Sequence, residues 1–260
     1  MDIGHINIVY NILTEALKKG YEAGLKSLRN PKRALKYANG ININWTEADK
    51  LMMDRFNMEA FLVAGVGSYE LEEKLKELAA ARMKGLIDAT DYEIGARRLM
   101  MDYGIGLGEQ PPSGWIQTNI DTAITGSVNA ARWVRLTDPT ISKVYPALMY
   151  RTQRDGRVRP EHAALDGKVF SKDDSVWQTI YPPNGWRCRC YVEPLTLDSD
   201  KMKDLEKTTS DKRKEYTDCV HEDFKHNSGM DGSVWGRWLK MKLKGMPEAE
   251  VSKLKKLAQL

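Results

Sequence analysis

The chain has little of the groups that most enzyme chemistry relies on. In 260 residues there are three cysteines and four histidines. Cysteine this sparse, behind an N-terminus (MDIGHINIVYNIL) too mixed for a secretory leader, argues against a disulfide-stapled secreted domain and fits a reducing compartment. Long apolar runs are missing too. None approaches the roughly 20 residues that span a bilayer, so no membrane partner is expected. Charge of one sign is also scarce: 40 Lys and Arg interleave with 36 Asp and Glu, for a net +4. That balance excludes a histone-like protein that coats DNA. There is no phosphate-binding glycine loop, no HExxH and no Ser-His-Asp motif. Internal repeats and low-complexity tracts are absent. What remains is a chain 42% apolar, enough for one good core and an appendage.

The first half reads as helices. Ile6, Tyr10, Leu13, Leu17, Tyr21, Leu25 and Leu28 recur at helical spacing, with Gly20 and Gly24 counting against one unbroken helix. A short piece runs from Pro31 to Tyr37, ending near Asn39-Gly40. Thr46-Glu47-Ala48-Asp49 resembles a capping box and predicts a helix through Leu62. Ser68 precedes another, with Leu71, Leu75 and Leu78 on one face. Thr90-Asp91-Tyr92-Glu93 predicts a capped helix to about Asp102. Gly104, Gly106, Gly108 and then Pro111-Pro112-Ser113-Gly114 mark the main boundary. A longer helix, Trp115 to Val134, is expected to pack on the small sheet after it and close its core.

Tyr150 to Leu195 holds the chemistry. Ala147 to Thr152 reads as a strand, Asp155-Gly156 as a turn, and Pro160 as the first position of a short helix carrying His162 and Leu165. Asp166-Gly167 ends that helix, and Lys168 to Phe170 is a second strand. Pro182-Pro183-Asn184-Gly185 leads through a tight turn into a third strand, Trp186 to Val192. Alternation would put Trp186, Cys188, Cys190 and Val192 on one strand face and Arg187, Arg189, Tyr191 and Glu193 on the other. The expected class is α+β: a helical region over residues 1–110, a small domain with a short antiparallel sheet over 115–197, and a charged, helical tail over 198–260. In that tail Asp198 to Lys214 reads as a solvated helix or linker, Phe224 to Gly232 as a polar loop, and Val234 to Leu243 and the stretch after Pro247 as helices.

Two groups of residues admit more than one reading. Cys188 and Cys190 on one face could pack in the core, which is the favoured reading because cysteine is among the most buried residue types. Alternatively, with His162 they could hold a structural zinc, taking a fourth ligand from Cys219, His221 or His226. A Cys–His nucleophilic pair is the enzymatic version, and a thiol beside Trp186 suggests burial instead. Arg151, Arg154, Arg157, Arg159, Arg187 and Arg189 are candidates for contact with DNA or phosphate. The competing reading, slightly favoured, is an Arg–Asp network that holds a loop-rich domain in shape. No catalytic residue is assigned.

Arg154-Asp155-Gly156-Arg157-Val158-Arg159-Pro160-Glu161-His162, then Leu165-Asp166-Gly167, Trp177, Pro182-Pro183-Asn184-Gly185 and Cys188-Arg189-Cys190 resemble the signature of the phage Mu F-like minor head proteins, also called phage head morphogenesis proteins. The match covers Trp115 to Leu195, with a weaker echo at Phe224 to Trp238. The resemblance marks Asp155, His162, Asp166, Gly167, Trp177, Pro183, Gly185, Cys188 and Cys190 as motif positions. It implies a phage or prophage head protein that is not an enzyme and has no required cofactor. Its implied partners are the portal protein, capsid or scaffold proteins and double-stranded DNA bound nonspecifically. Its implied place is the head interior or portal vertex of the virion, and the bacterial host cytoplasm during assembly. Competing readings are a small zinc- or cysteine-dependent enzyme and a head-delivered toxin with this domain as its delivery module.

Overall fold

The computed structural model describes residues 1–26, 45–106, 111–206 and 209–258. The expectations at Leu28, Pro31 to Tyr37, Asn39-Gly40 and Gly108 lie outside them. The described elements are, in order, α1 (Ile3–Lys26), α2 (Glu47–Met83), α3 (Ala89–Asp102), α4 (Gly114–Leu136), α5 (Pro139–Ser142), β1 (Ala147–Arg151), α6 (Pro160–Ala163), β2 (Val169–Ser171), α7 (Trp177–Ile180), β3 (Tyr191–Leu195), α8 (Ser210–Asp218), α9 (Ser228–Asp231), α10 (Gly236–Gly245) and α11 (Glu248–Leu257). The class is α+β, with helices on both sides of a small antiparallel sheet in the sequence. No described helix is long and apolar enough to cross a membrane.

The chain divides into two compact units, each assembled from distant segments. The first comprises Met1–Glu15, Asn57–Asp121 and Leu239–Leu260. Ile6, Val9 and Leu13 are buried there at helical spacing on α1. His5 is buried too, its ring Nε2 2.9 Å from the Tyr103 carbonyl oxygen. In place of the two helices expected around Ser68 there is one α2 of 37 residues. Gly65 and Gly67 do not break it, because each is a contact point. A Cβ on Gly65 would lie 2.2 Å from Leu254 Cδ1, and one on Gly67 2.6 Å from the Trp115 ring. Ser68 Oγ accepts from the Asp2 backbone N–H at 3.1 Å. The cap of α3 also differs from expectation: Asp88, not Thr90, accepts from the Asp91 backbone N–H at 2.8 Å. Leu254 is fully buried, so α11 is docked within this unit.

The second unit comprises Ala16–Phe56 and Thr122–Trp238. The expected box at the start of α2 is present. Thr46 Oγ1 accepts from the Asp49 N–H at 3.2 Å, and Asp49 Oδ2 accepts from the Thr46 N–H at 2.8 Å. Asp49 is fully buried and also takes the Tyr21 hydroxyl (3.0 Å) and the Arg135 guanidinium (2.9 Å), so its charge is paired. The sheet order is β2-β1-β3, all antiparallel, with Leu148 opposite Phe170 and Met149 opposite Glu193. Period-two alternation sends Leu148, Tyr150, Phe170 and Val192 into one core with Trp133, Trp177 and Tyr181. Ala147, Met149, Val169 and Leu195 face the other way, against Met202.

Helix α4 closes the larger core, as expected. Its Arg132 is fully buried, with Nη2 donating to the Val192 carbonyl at 2.7 Å. Asn129 Nδ2 donates to the Cys190 carbonyl at 3.3 Å, and Tyr181 donates to the Asn129 carbonyl at 3.0 Å.

Two expectations shift here. The third strand runs over Tyr191–Leu195, not Trp186 to Val192. Arg187 has φ +56°, and the Cys188 N–H donates to the Gly185 carbonyl at 3.1 Å, so residues 186–190 turn instead of extending. Pro194 is tolerated because β3 is an edge strand. The residues after Leu195 also do more than a solvated tail would. Tyr216, Val220 and Phe224 are buried in the same core as Trp177. Asn227, expected in a polar loop, is buried, donates to the Trp177 carbonyl at 3.1 Å and accepts from the Gly229 N–H at 2.9 Å.

Candidate functional site

The loop between β1 and β2 is closed by acids. Asp166 Oδ1 accepts from the Thr152 backbone N–H at 2.8 Å, and Oδ2 from Arg154 Nε at 2.8 Å. Gly167 comes next at φ +85°, a conformation that favours glycine, and its N–H donates to the Tyr150 carbonyl at 2.9 Å. Between these ends Asp155 turns the chain. Arg159 precedes Pro160, which sits in the first turn of α6. That short helix buries His162.

The six arginines divide into two sets. Arg189 makes a bidentate pair with Asp155 at 2.7 and 2.8 Å. This bond, then the Arg157 N–H, holds the Asp155 carboxyl down at about 2. Arg151 pairs with Glu193 at 2.9 Å and lies 3.7 Å from Asp166. Arg154 is held by Asp166. Of the other three, Arg159 donates to the Trp186 carbonyl at 2.7 Å, and Arg157 is largely exposed, 4.0 Å from Asp155. Arg187 is exposed as well. These three line a small cavity of about 20 Å³ with Arg189, His162 and the two cysteines.

Trp177 is fully buried and donates from Nε1 to the Ser171 carbonyl at 3.0 Å. The Pro182–Pro183 bond is cis. After it comes Asn184, fully buried, with Nδ2 donating to the Tyr150 hydroxyl at 3.0 Å. Gly185 leaves room for Arg159 and His162, whose nearest atoms would lie 3.4 and 3.8 Å from a Cβ placed there.

His162 Nδ1 lies 3.7 Å from Cys188 Sγ and 3.8 Å from Cys190 Sγ. The three ligand-type atoms fall within 4.8 Å of one another, and the residues are 3%, 2% and 4% exposed. Donation from Cys190 draws the Cys188 thiol well below its usual range, with His162 adding to the effect against burial. The same pairing, and then burial, pushes Cys190 up. Among the described residues, none of the suggested fourth ligands joins this cluster. Cys219 Sγ donates to the Glu215 carbonyl at 3.6 Å, His221 Nδ1 accepts from the Asp223 N–H at 3.3 Å, and His226 Nε2 lies 2.9 Å from the Ser233 carbonyl. Cys219 and His221 instead line a surface cleft of about 310 Å³ that His162 also borders.

Sequence reasoning passed over Tyr150, Asn184, Asn129 and Arg132, which link the loop to the core. Of these only Asn184 sat in a turn signal, and nothing in the signal shows that its side chain is buried.

Residues 114–193 match the family described as Phage Mu protein F like protein. The chain is 32% identical over 205 residues to the putative capsid assembly protein F of Escherichia phage Mu, an alignment covering 67% of this chain and 42% of that protein. It is 30% identical over 179 residues to the Mu-like prophage FluMu F protein of Haemophilus influenzae, covering 67% of this chain and 39% of that one. The chain thus spans about two fifths of the length of these relatives. No solved structure matches. Through residues 114–193 the chain belongs to the Phage Mu protein F like family.

Proposed function

We propose that this chain is a minor head protein of a phage or prophage and works in head assembly at the portal vertex. The observation that carries the reading is where the matched signature goes. Its acids and arginines are used largely on each other, through Asp155–Arg189, Asp166–Arg154 and Glu193–Arg151, and Trp177, Pro182 and Pro183 are buried. Such a motif specifies a rigid module, and a rigid module suits docking in a shell. Its relatives' names point the same way, since one is a putative capsid assembly protein.

The cysteine-nucleophile alternative is weaker. A nucleophilic thiol must be reachable, and Cys188 and Cys190 are 2% and 4% exposed. The described residues between Leu195 and Phe224 are not set apart as a toxin module, since Tyr216, Val220 and Phe224 join the core of this unit.

The test is co-expression of the full chain with the portal and major shell proteins of its own phage, and then affinity capture on this chain. Portal protein should be retained through high-salt washing. Capture of shell protein alone would move the contact away from the portal. Capture of neither would remove the assembly role.

A further inference from the structure

We propose that His162 Nδ1, Cys188 Sγ and Cys190 Sγ bind one zinc ion, with a water molecule as fourth ligand. Two edges of the ligand triangle can be set against a coordination tetrahedron, and the sulfur–sulfur edge lies within 4.8 Å. With metal–sulfur and metal–nitrogen bonds of about 2.3 and 2.0–2.1 Å, tetrahedral angles put sulfur and nitrogen ligands about 3.6 Å apart. The two N···S separations are 3.7 and 3.8 Å. The CxC spacing works because these residues are not in a strand. The left-handed Arg187 and the Cys188-to-Gly185 bond fold the chain so that both sulfurs meet one imidazole.

The surroundings favour a metal over a bare thiol pair. Two thiolates and a neutral imidazole around a doubly charged ion make a neutral centre. Such a centre can sit beside Arg157, Arg159 and Arg189 without repelling them. Soft sulfur ligands disfavour magnesium and calcium. The cavity of about 20 Å³ at the ligand atoms has room for roughly one water, which completes four-coordination. The ion would tie α6 to the 186–190 turn, elements more than twenty residues apart in sequence.

The full chain, expressed with added zinc and purified without chelator, should carry stoichiometric zinc by elemental analysis. Exchange into Co²⁺ should give thiolate-to-cobalt charge-transfer absorption and the visible bands of a tetrahedral ion. Stripping the metal should lower the thermal midpoint by at least about 5 °C, and Zn²⁺ should restore it. C188S, C190S and H162A should each lose metal, while C219S and H221A keep it. Should the first three fail to fold, the stoichiometry and cobalt spectrum of the unaltered chain still decide. A purified chain without stoichiometric metal or a cobalt band, or with a Cys188–Cys190 disulfide by mass spectrometry, would overturn the site. Loss of metal in C219S or H221A would overturn the water-completed coordination.

Discussion

Two aspartates of one loop show how exposure sets the worth of the same chemistry. Asp166 is 17% exposed and satisfies a backbone N–H as well as Arg154. Asp166→Ala leaves the Thr152 N–H without its partner and should cost about 1–3 kcal/mol in urea unfolding. A loss under about 0.5 kcal/mol, the range of an ordinary surface change, would show that the loop closes without it. Asp155 is more exposed, and its bidentate pair with Arg189 is partly screened. Its effect is best seen through pH. The folded-state pKa lies at about 2, below the unfolded value of about 3.9. Its contribution is therefore present above about pH 4 and lost as pH falls through the folded value. Asp155→Asn should lower the denaturation midpoint at neutral pH, and the gap from the unaltered chain should close toward pH 2. A gap independent of pH would mean that the carboxylate charge is not what matters. The sequence displayed these acids and arginines together, yet spacing alone left phosphate binding and self-pairing both open. Which arginine meets which acid depends on the turn at Asp155 and the register of β1 with β3, and neither is local.

At the scale of elements, small residues carried the information that pattern reading misassigned. Gly20 and Gly24 weakened the expectation of one helix, and a break was expected between Leu62 and Ser68. Both α1 and α2 are continuous, and their glycines mark close approaches. The approaches differ in kind, which gives a prediction. A Cβ on Gly24 would lie 2.4 Å from the Val128 carbonyl oxygen, backbone that cannot step aside. A Cβ on Gly65 would meet the end of the Leu254 side chain, which can rotate. Alanine gains about 1 kcal/mol of intrinsic helix preference at either site. Overpacking costs about 1–3 kcal/mol where the surroundings cannot relax. Gly24→Ala should therefore destabilise and Gly65→Ala should lie closer to neutral, by thermal or urea midpoints. Equal midpoints for the two variants would refute the backbone-contact argument. Strand positions were legible to within a residue at β1 and β2, where apolar runs are bounded by turn residues. At β3 the strand starts five residues later than the alternation implied, because Arg187 takes a left-handed conformation that no residue-type preference announces.

For the molecule as a whole, the signature was readable and its extent was not. The family match ends at residue 193, and charge density after Leu195 suggested a tail. Tyr216, Val220 and Phe224 nevertheless complete the core around Trp177, because a few large apolar residues among many charges bury well even when no continuous stripe connects them. A chain truncated after Leu195 should lose cooperative thermal unfolding or soluble expression. A truncated chain that melts cooperatively would restore the reading as a separate tail. Contact with packaged DNA is the other whole-molecule expectation, and its size can be bounded for the case in which the motif arginines alone carry it. Arg157, Arg159 and Arg187 are exposed and border one small cavity, so they are the motif arginines best placed to meet phosphate. Each phosphate neutralised contributes about −0.9 to the slope of log affinity against log salt, so three give a slope no steeper than about −3. Duplex binding by the full chain, measured across a salt series, should show such a shallow slope without sequence preference. The triple variant R157A/R159A/R187A should flatten it. A much steeper slope, or one that the triple variant leaves unchanged, would place the DNA contact on other basic residues, such as the lysines of α11, and leave the motif arginines with an architectural role alone.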